Sequence, residues 1–143
     1  MDVKTAFLND DLQKEIFVQQ APGFAHPAQE NMVFKLHKAL YGLHQAPRAW
    51  NQKLDEELVA LVFVKCPPEL DIYCWGVGTE RLAVGVYVDD LIITGASCSS
   101  SKKFKSQMTE IFRTSDLGLL TYYLGIEVNQ EGDGISLSQG SYV

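Results

Sequence analysis

The chain predicts an α+β domain in which helices cover one face of a largely antiparallel sheet. Three observations carry that reading. Two stretches place apolar residues at helical spacing. The segments around them are short, rich in β-branched and aromatic residues, and bounded by turn-forming residues. No repeat, low-complexity tract or linker divides the chain. With 143 residues, 46% apolar and 21% charged, it has the size and balance of one globular unit with a substantial core.

The elements follow in order. "EIFVQQ" at 15–20 reads as a strand closed by the turn signal "APGF", and "MVFKL" at 32–36 reads as another. "QAPRAWNQKLDEELVALVF" at 45–63 is a helix: Pro47 suits its first turn, and Trp50, Leu54, Leu58 and Leu61 line one face. "LDIYCW" at 70–75 and "LAVGVYV" at 82–88 are strands around a Gly-containing turn, with "LIITGA" at 91–96 directly after. A second helix is expected over 101–113, capped by the serines at 99–101 and buried through Phe104, Met108 and Ile111. "YYLGIEV" at 122–128 and "GISLSQ" at 134–139 form a hairpin around "NQEGDG".

Charge and composition narrow the function. A net charge of −6 speaks against a free-standing nucleic-acid binder, yet 31–54 holds no acid and carries Lys35, Lys38, Arg48 and Lys53 with His37 and His44. That run is either a solvated basic face or a phosphate-contacting surface. No apolar run reaches the ~18 residues of a bilayer span, and no signal peptide is visible at the start. Cys66, Cys74 and Cys98 form no CxxC pair, which suggests reduced thiols in an intracellular protein.

The chemistry concentrates at Asp89 and Asp90, adjacent carboxylates between two core-like strands. As the two-residue loop of a hairpin they are tolerable, because Asp accepts positive φ better than most residues; glycine would serve better, and the two charges repel. A divalent cation would relieve that repulsion, and oxygen ligands are what Mg²⁺ prefers. A third carboxylate would complete a two-metal clamp of the kind found in polymerases and nucleases. Spacing alone leaves Asp2, Asp71 and Asp116 equal as candidates for it.

The stretches "MDVKTAFLN", "QQAPGF", "KLHKALYGLHQAPRAW", "YVDDLIITG" and "LGLLTYYLGIEV", followed by "ISLSQGSYV", occur in that order. Together they resemble the reverse transcriptase of copia-type LTR retrotransposons over nearly the whole chain. The resemblance implies a palm, a ferredoxin- or RRM-like antiparallel sheet with helices on one face, plus part of the fingers. Residues 1–143 would then be a fragment of that domain, truncated at both ends.

It also implies that Asp2, Asp89 and Asp90 are the catalytic carboxylates and, with the backbone carbonyl of Val3, hold two Mg²⁺ ions, or Mn²⁺ in their place. By the same resemblance the Phe7 ring lies under the incoming sugar and excludes a 2′-hydroxyl. Tyr41 and Gly42 lie along the nucleotide and template, and Ala46 and Pro47 match the small-Pro step that opens the following helix. Tyr87 sits beside the primer terminus, and Leu124 and Gly125 begin a hairpin, running to Val128, that grips the primer.

The implied reaction is attack of a primer 3′-hydroxyl on the α-phosphate of a deoxynucleoside triphosphate. The implied partners are an RNA or DNA template with its primer, dNTP and the remainder of a Pol polyprotein, with no membrane. The implied location is a cytoplasmic virus-like particle or the nucleus.

Two positions depart from the family pattern. "FLND" has Asp10 where a glycine is expected, and "ALVF" lacks the glycine that ends this helix as "LGF". Such departures fit a drifting copy, so a catalytically inactive remnant with the same fold is a second reading. A third is an RRM-like RNA-binding module, which stacks bases on aromatics of a basic sheet face. Here the sheet centre would carry Asp2, Asp89 and Asp90 instead.

Overall fold

The computed structural model describes residues 1–9, 11–24, 29, 31–67, 69–132 and 134–140, with residues 11 and 13 described by backbone alone. Asp10 lies outside the described residues. In chain order, β1 (Asp2–Val3) leads through a 3₁₀ turn (Ala6–Asn9) to β2 (Asp11–Gln19) and β3 (Val33–Lys38). Helix α1 (Ala46–Ala60) precedes β4 (Val64–Cys66), β5 (Glu69–Trp75), β6 (Leu82–Tyr87) and β7 (Asp90–Gly95). Helix α2 (Cys98–Ile111) is followed by β8 (Thr114–Ser115), β9 (Tyr122–Tyr123), β10 (Ile126–Glu131) and β11 (Gly134–Ser138).

The strands form a main sheet in the order β4-β5-β6-β7-β1-β8, a second sheet β11-β10-β9, and a ribbon β2-β3, all with antiparallel pairing. Without the β4–β5 hairpin, the main sheet and its helices follow a βαββαβ plan with β1 between β7 and β8. The expected α+β architecture with antiparallel sheets and two helices is what the chain adopts. No described helix is long and apolar enough to cross a membrane.

Alternation along the strands decides which face is covered. Tyr73, Leu82, Val84 and Leu91 are buried, and the ladder pairs Tyr73 with Val84, Val84 with Ile93 and Val86 with Leu91, so these side chains share one face. That face belongs to the same core as Trp50, Leu54 and Leu58 of α1 and Phe104 and Met108 of α2. Each helix thus presents a stripe at spacings of four, as its sequence period requires. The tie between α1 and the sheet edge is polar as well: the Tyr73 hydroxyl donates to Asp55 at 2.8 Å, and Lys65 pairs with the same carboxylate at 2.8 Å. Burial and then the hydrogen bond to Asp55 push the Tyr73 phenol up to about 12, while the Lys65 hydrogen bond holds Asp55 below the usual carboxylate range.

Several boundaries differ from the sequence expectation, each for a physical reason. The N-cap of α2 is Ser97, whose Oγ accepts from the Ser100 amide at 3.3 Å, so the helix starts ahead of the serines at 99–101. The segment 122–128 is not one strand. Leu124 and Gly125 both take positive φ, +49° and +84°, and Tyr123 pairs with Ile126 across them, which makes a two-residue hairpin loop. Strand β2 begins four residues earlier than "EIFVQQ", at Asp11, which pairs with Lys38 beyond an irregularity in the ladder. Cys66 and Cys74 are bridged where β4 folds back on β5, with Cα atoms 6.3 Å apart, so the expectation of reduced thiols holds only for the exposed Cys98.

The end of α1 is informative. Leu61 is the C-cap, the Val62 amide donates to Val59 O at 2.9 Å and the Phe63 amide to Leu58 O at 3.0 Å. That is the Schellman hydrogen-bond pattern, and it puts Val62 in the left-handed region at φ +67°, where glycine is the favoured residue. This is the position at which the sequence lacks the family's glycine. Val62 is 72% exposed, so its side chain gives little packing in return. Val62→Gly is therefore expected to stabilise the fold by about 1 kcal/mol; equilibrium urea unfolding reads this as a higher midpoint at unchanged m-value.

Candidate functional site

The site forms at the centre of the main sheet, on the face away from the helices. Val3 is fully buried and Leu91 nearly so, so their neighbours Asp2 and Asp90 emerge on the opposite face. The ladder sets Asp2 directly opposite Asp90, and Asp90 directly opposite Tyr87. Cross-strand neighbours of this kind have Cβ atoms about 5 Å apart. Asp71 is exposed on β5, and Asp116 is held by Lys105 at 2.9 Å and by the Gly118 amide at 3.1 Å. Of the three carboxylates that spacing left equal, Asp2 is the one the ladder pairs with Asp90.

The acidic loop differs from the expected one. The two residues between β6 and β7 are Val88 and Asp89, and Asp90 is the first residue of β7. Val88 carries the positive φ, +53°. Both loop carbonyls are bonded: Val88 O accepts from the Trp50 indole N–H at 2.7 Å and Asp89 O from the Val3 amide at 2.8 Å. Asp90 thus takes its direction from the sheet, while Asp89 takes its direction from the loop.

The electrostatics are those of like charges held together. Burial, then Asp89, then Asp2 raise the Asp90 carboxyl above its usual range. Asp2 Oδ2 is shut off from solvent and accepts no hydrogen bond among the described residues; the ammonium of Lys4, ion-paired with that oxygen, offsets its charge. A sealed carboxylate oxygen facing a second carboxylate is a donor set that suits a hard cation. Among the described residues, no three His, Cys, Asp or Glu side chains already stand as a metal cage.

The other predicted residues fall into two groups. Phe7, on the 3₁₀ turn after β1, is 8% exposed and packs against Tyr41 with ring centroids 4.5 Å apart. Gly42 has φ +92° in the turn closed by the Leu43 amide on Leu40 O at 3.2 Å, and a Cβ there would meet nothing. Its glycine is favoured by the turn, and the space beside it is open. Tyr87 is half-exposed and meets Tyr123 edge-on at 6.4 Å, which brings the β9–β10 hairpin with Leu124 and Gly125 beside the acids.

The basic run at 31–54 is partly neutralised by acids from elsewhere: Lys35 pairs with Glu15, and Lys53 with Glu57 at 2.7 Å. Arg48 and Lys53 line, with Lys14, a cleft of about 380 Å³ between β2 and α1.

Sequence reasoning missed Lys4, Tyr123 and Trp50. Lys4 had a signal, since it lies two residues from Asp2 and so shares its face at the end of a strand. Tyr123 is recognisable only through contact: burial, then Asp90, then Tyr87 raise its phenol. Trp50 reads from sequence as core and nothing more.

A raised carboxyl pKa fixes the sign of a pH effect. The folded state binds the Asp90 proton more readily than the unfolded chain. Its contribution is therefore fully present below the ordinary Asp range and lost as pH rises through the raised value. In metal-free buffer, Asp90→Asn is expected to raise Tm by a few degrees at neutral pH. The gain should vanish near about pH 3, where the native Asp is protonated too. Parallel thermal melts of both proteins across pH check this.

The family described as reverse transcriptase (RNA-dependent DNA polymerase) matches residues 1–143. A transposon Ty5-1 protein of Saccharomyces cerevisiae is 33% identical over 144 residues, covering 100% of this chain and 47% of that protein. Retrovirus-related Pol polyproteins from transposon RE1 of Arabidopsis thaliana and transposon TNT 1-94 of Nicotiana tabacum are 36% and 35% identical, each across 100% of this chain. The chain spans 10% and 11% of those two polyproteins. No solved structure matches it.

Proposed function

The chain belongs to the reverse transcriptase (RNA-dependent DNA polymerase) family, in its copia-type branch, and from that premise we propose that Asp2, Asp89 and Asp90 are the catalytic carboxylates of a retrotransposon polymerase palm. The observation that carries this reading is Asp2 set opposite Asp90 on the open face of the sheet, with its sealed oxygen ion-paired to the Lys4 ammonium. Residues 1–143 are then the palm with part of the fingers, β2 and β3 being the fingers part.

The fit to divalent metal rests on that oxygen and on the acid-only donor set, with the carbonyl of Val3 as a further ligand. Two bound Mg²⁺ or Mn²⁺ ions would supply the positive charge that eases attack of a primer 3′-hydroxyl on the α-phosphate of a dNTP and departure of pyrophosphate. The chain's own residues do the placing. Strands β1 and β7 hold two carboxylates in register, and the loop holds the third. Lys4 occupies Asp2 until a stronger cation displaces it.

Phe7 backs the sugar pocket with Tyr41 against it and Gly42 beside it. Tyr87 and the Leu124–Gly125 turn face the primer. The partners are a primed RNA or DNA template, dNTP and the rest of the polyprotein; the place of work is a virus-like particle in the cytoplasm, or the nucleus. An RNA-recognition module would need this same face to be basic; it carries Asp2 and Asp90 beside Tyr87.

In a polyprotein segment that extends primers, Asp2→Asn and Asp89→Asn should each lower incorporation by at least about 100-fold while leaving the melting curve intact. Near-normal extension by either variant would remove that residue from the site. Phe7→Val should relax discrimination against ribonucleotides by about 10- to 100-fold, because the gate acts by overlap. Competition between dNTP and rNTP in single-nucleotide extension measures it.

A further inference from the structure

We infer that Trp50 is a positioning residue for the acidic loop. Its indole N–H holds Val88 in a backbone conformation that valine avoids, and so fixes where the Asp89 carboxylate stands relative to Asp90 and Asp2. The inference rests on the reading of those three acids as the metal site.

The loop is under local strain. Its two residues are Val88 and Asp89, and the first of them sits at φ +53°. Glycine is the residue for that place in a two-residue hairpin, and a β-branched side chain is among the least suited. Val88 is 44% exposed, so packing does not explain its retention. A conformation of this kind persists only where the surroundings over-determine it.

The surroundings here are two hydrogen bonds from opposite sides. Trp50 donates to Val88 O at 2.7 Å from α1, and Val3 donates to Asp89 O at 2.8 Å from β1. The Trp50 donor is itself packed in the core. The side chain is 2% exposed, meets Phe112 edge-on at 5.1 Å, and shares its helix face with the buried Leu54 and Leu58. If the loop relaxed, a buried indole N–H would lose its acceptor, which penalises the alternative loop. The bond links α1 to the loop that joins β6 and β7, the loop that carries Asp89. A core tryptophan thereby sets the geometry of a site it does not touch.

Trp50→Phe keeps an aromatic ring on Phe112 and removes the donor. In the 143-residue chain, Mn²⁺ binding followed by the EPR signal of the free ion should weaken by about 10-fold or more, as expected for an outer-shell positioning group, with Tm lowered only slightly. Adding Val88→Gly to that variant should restore most of the affinity, since glycine takes positive φ without penalty. A merely structural tryptophan would show no such rescue. Affinity within twofold of wild type in Trp50→Phe, or no recovery in the double variant, overturns the inference.

Asp2→Asn and Asp89→Asn are the controls for the underlying reading. If Mn²⁺ binding ignores both, the carboxylate site fails, and hydrogen exchange then judges the pin alone. A slowly exchanging Trp50 indole proton in the wild type, with shifted Val88 and Asp89 amides in Trp50→Phe, supports it. Rapid indole exchange overturns it.

Discussion

The antiparallel pairing of β1 with β7 is the constraint on which the remainder depends. Asp2 meets Asp90, the Val3 amide reaches Asp89 O at 2.8 Å and the Leu91 amide reaches Met1 O at 2.8 Å. Side chains alternate along a strand, and β7 is already fixed by its ladder with β6, so a slip of β1 by one residue would drive Asp2 into the core and turn Val3 out to solvent. Uncompensated carboxylates in that core would be prohibitive. Core packing and acid placement therefore enforce the same register, and a strand of only two residues suffices to hold it.

The molecule tolerates two kinds of local disadvantage around this pairing. One is electrostatic: Asp90 is partly buried beside two like charges, and the Lys4 ammonium stands against Asp2. The other is conformational: two valines, Val62 and Val88, lie in the left-handed region. They differ in what surrounds them. Val62 is bound only into its own helix end, whereas Val88 is gripped from a separate element through Trp50. Sites that depart from local rules in a well-packed fold are where function concentrates. By that measure Val88 is the telling one.

Much of the architecture was legible in the residues. The four-residue spacing of Trp50, Leu54 and Leu58, and of Phe104 and Met108, identifies each helix and its buried face, and the alternation of Leu82, Val84 and Val86 identifies a half-covered strand. What escaped were features whose local signal points elsewhere. "DLQK" is polar and looks like loop, yet its backbone pairs into β2. Leu124 is an apolar residue in a strand-like run, yet it takes φ +49° and turns the chain. "VDD" suggests a loop of two acids, and the ladder shifts that loop back by one residue, which moves Asp90 into the sheet.

Taken alone, the residues determined the kinds of element, the faces those elements bury, the family, and the order in which the acidic motifs occur. These follow from periodicity and from covalent geometry, which act over a few neighbours at a time. Spacing left Asp2, Asp71 and Asp116 equal and the family resemblance singled out Asp2; only the tertiary structure decided that Asp2 stands directly across from Asp90, that Lys4 and Tyr123 border the acids, and that a core indole reaches the loop. Those are meetings between distant parts of the chain, chosen by which strands can share a sheet while the apolar side of each stays buried, and no window of sequence contains that information.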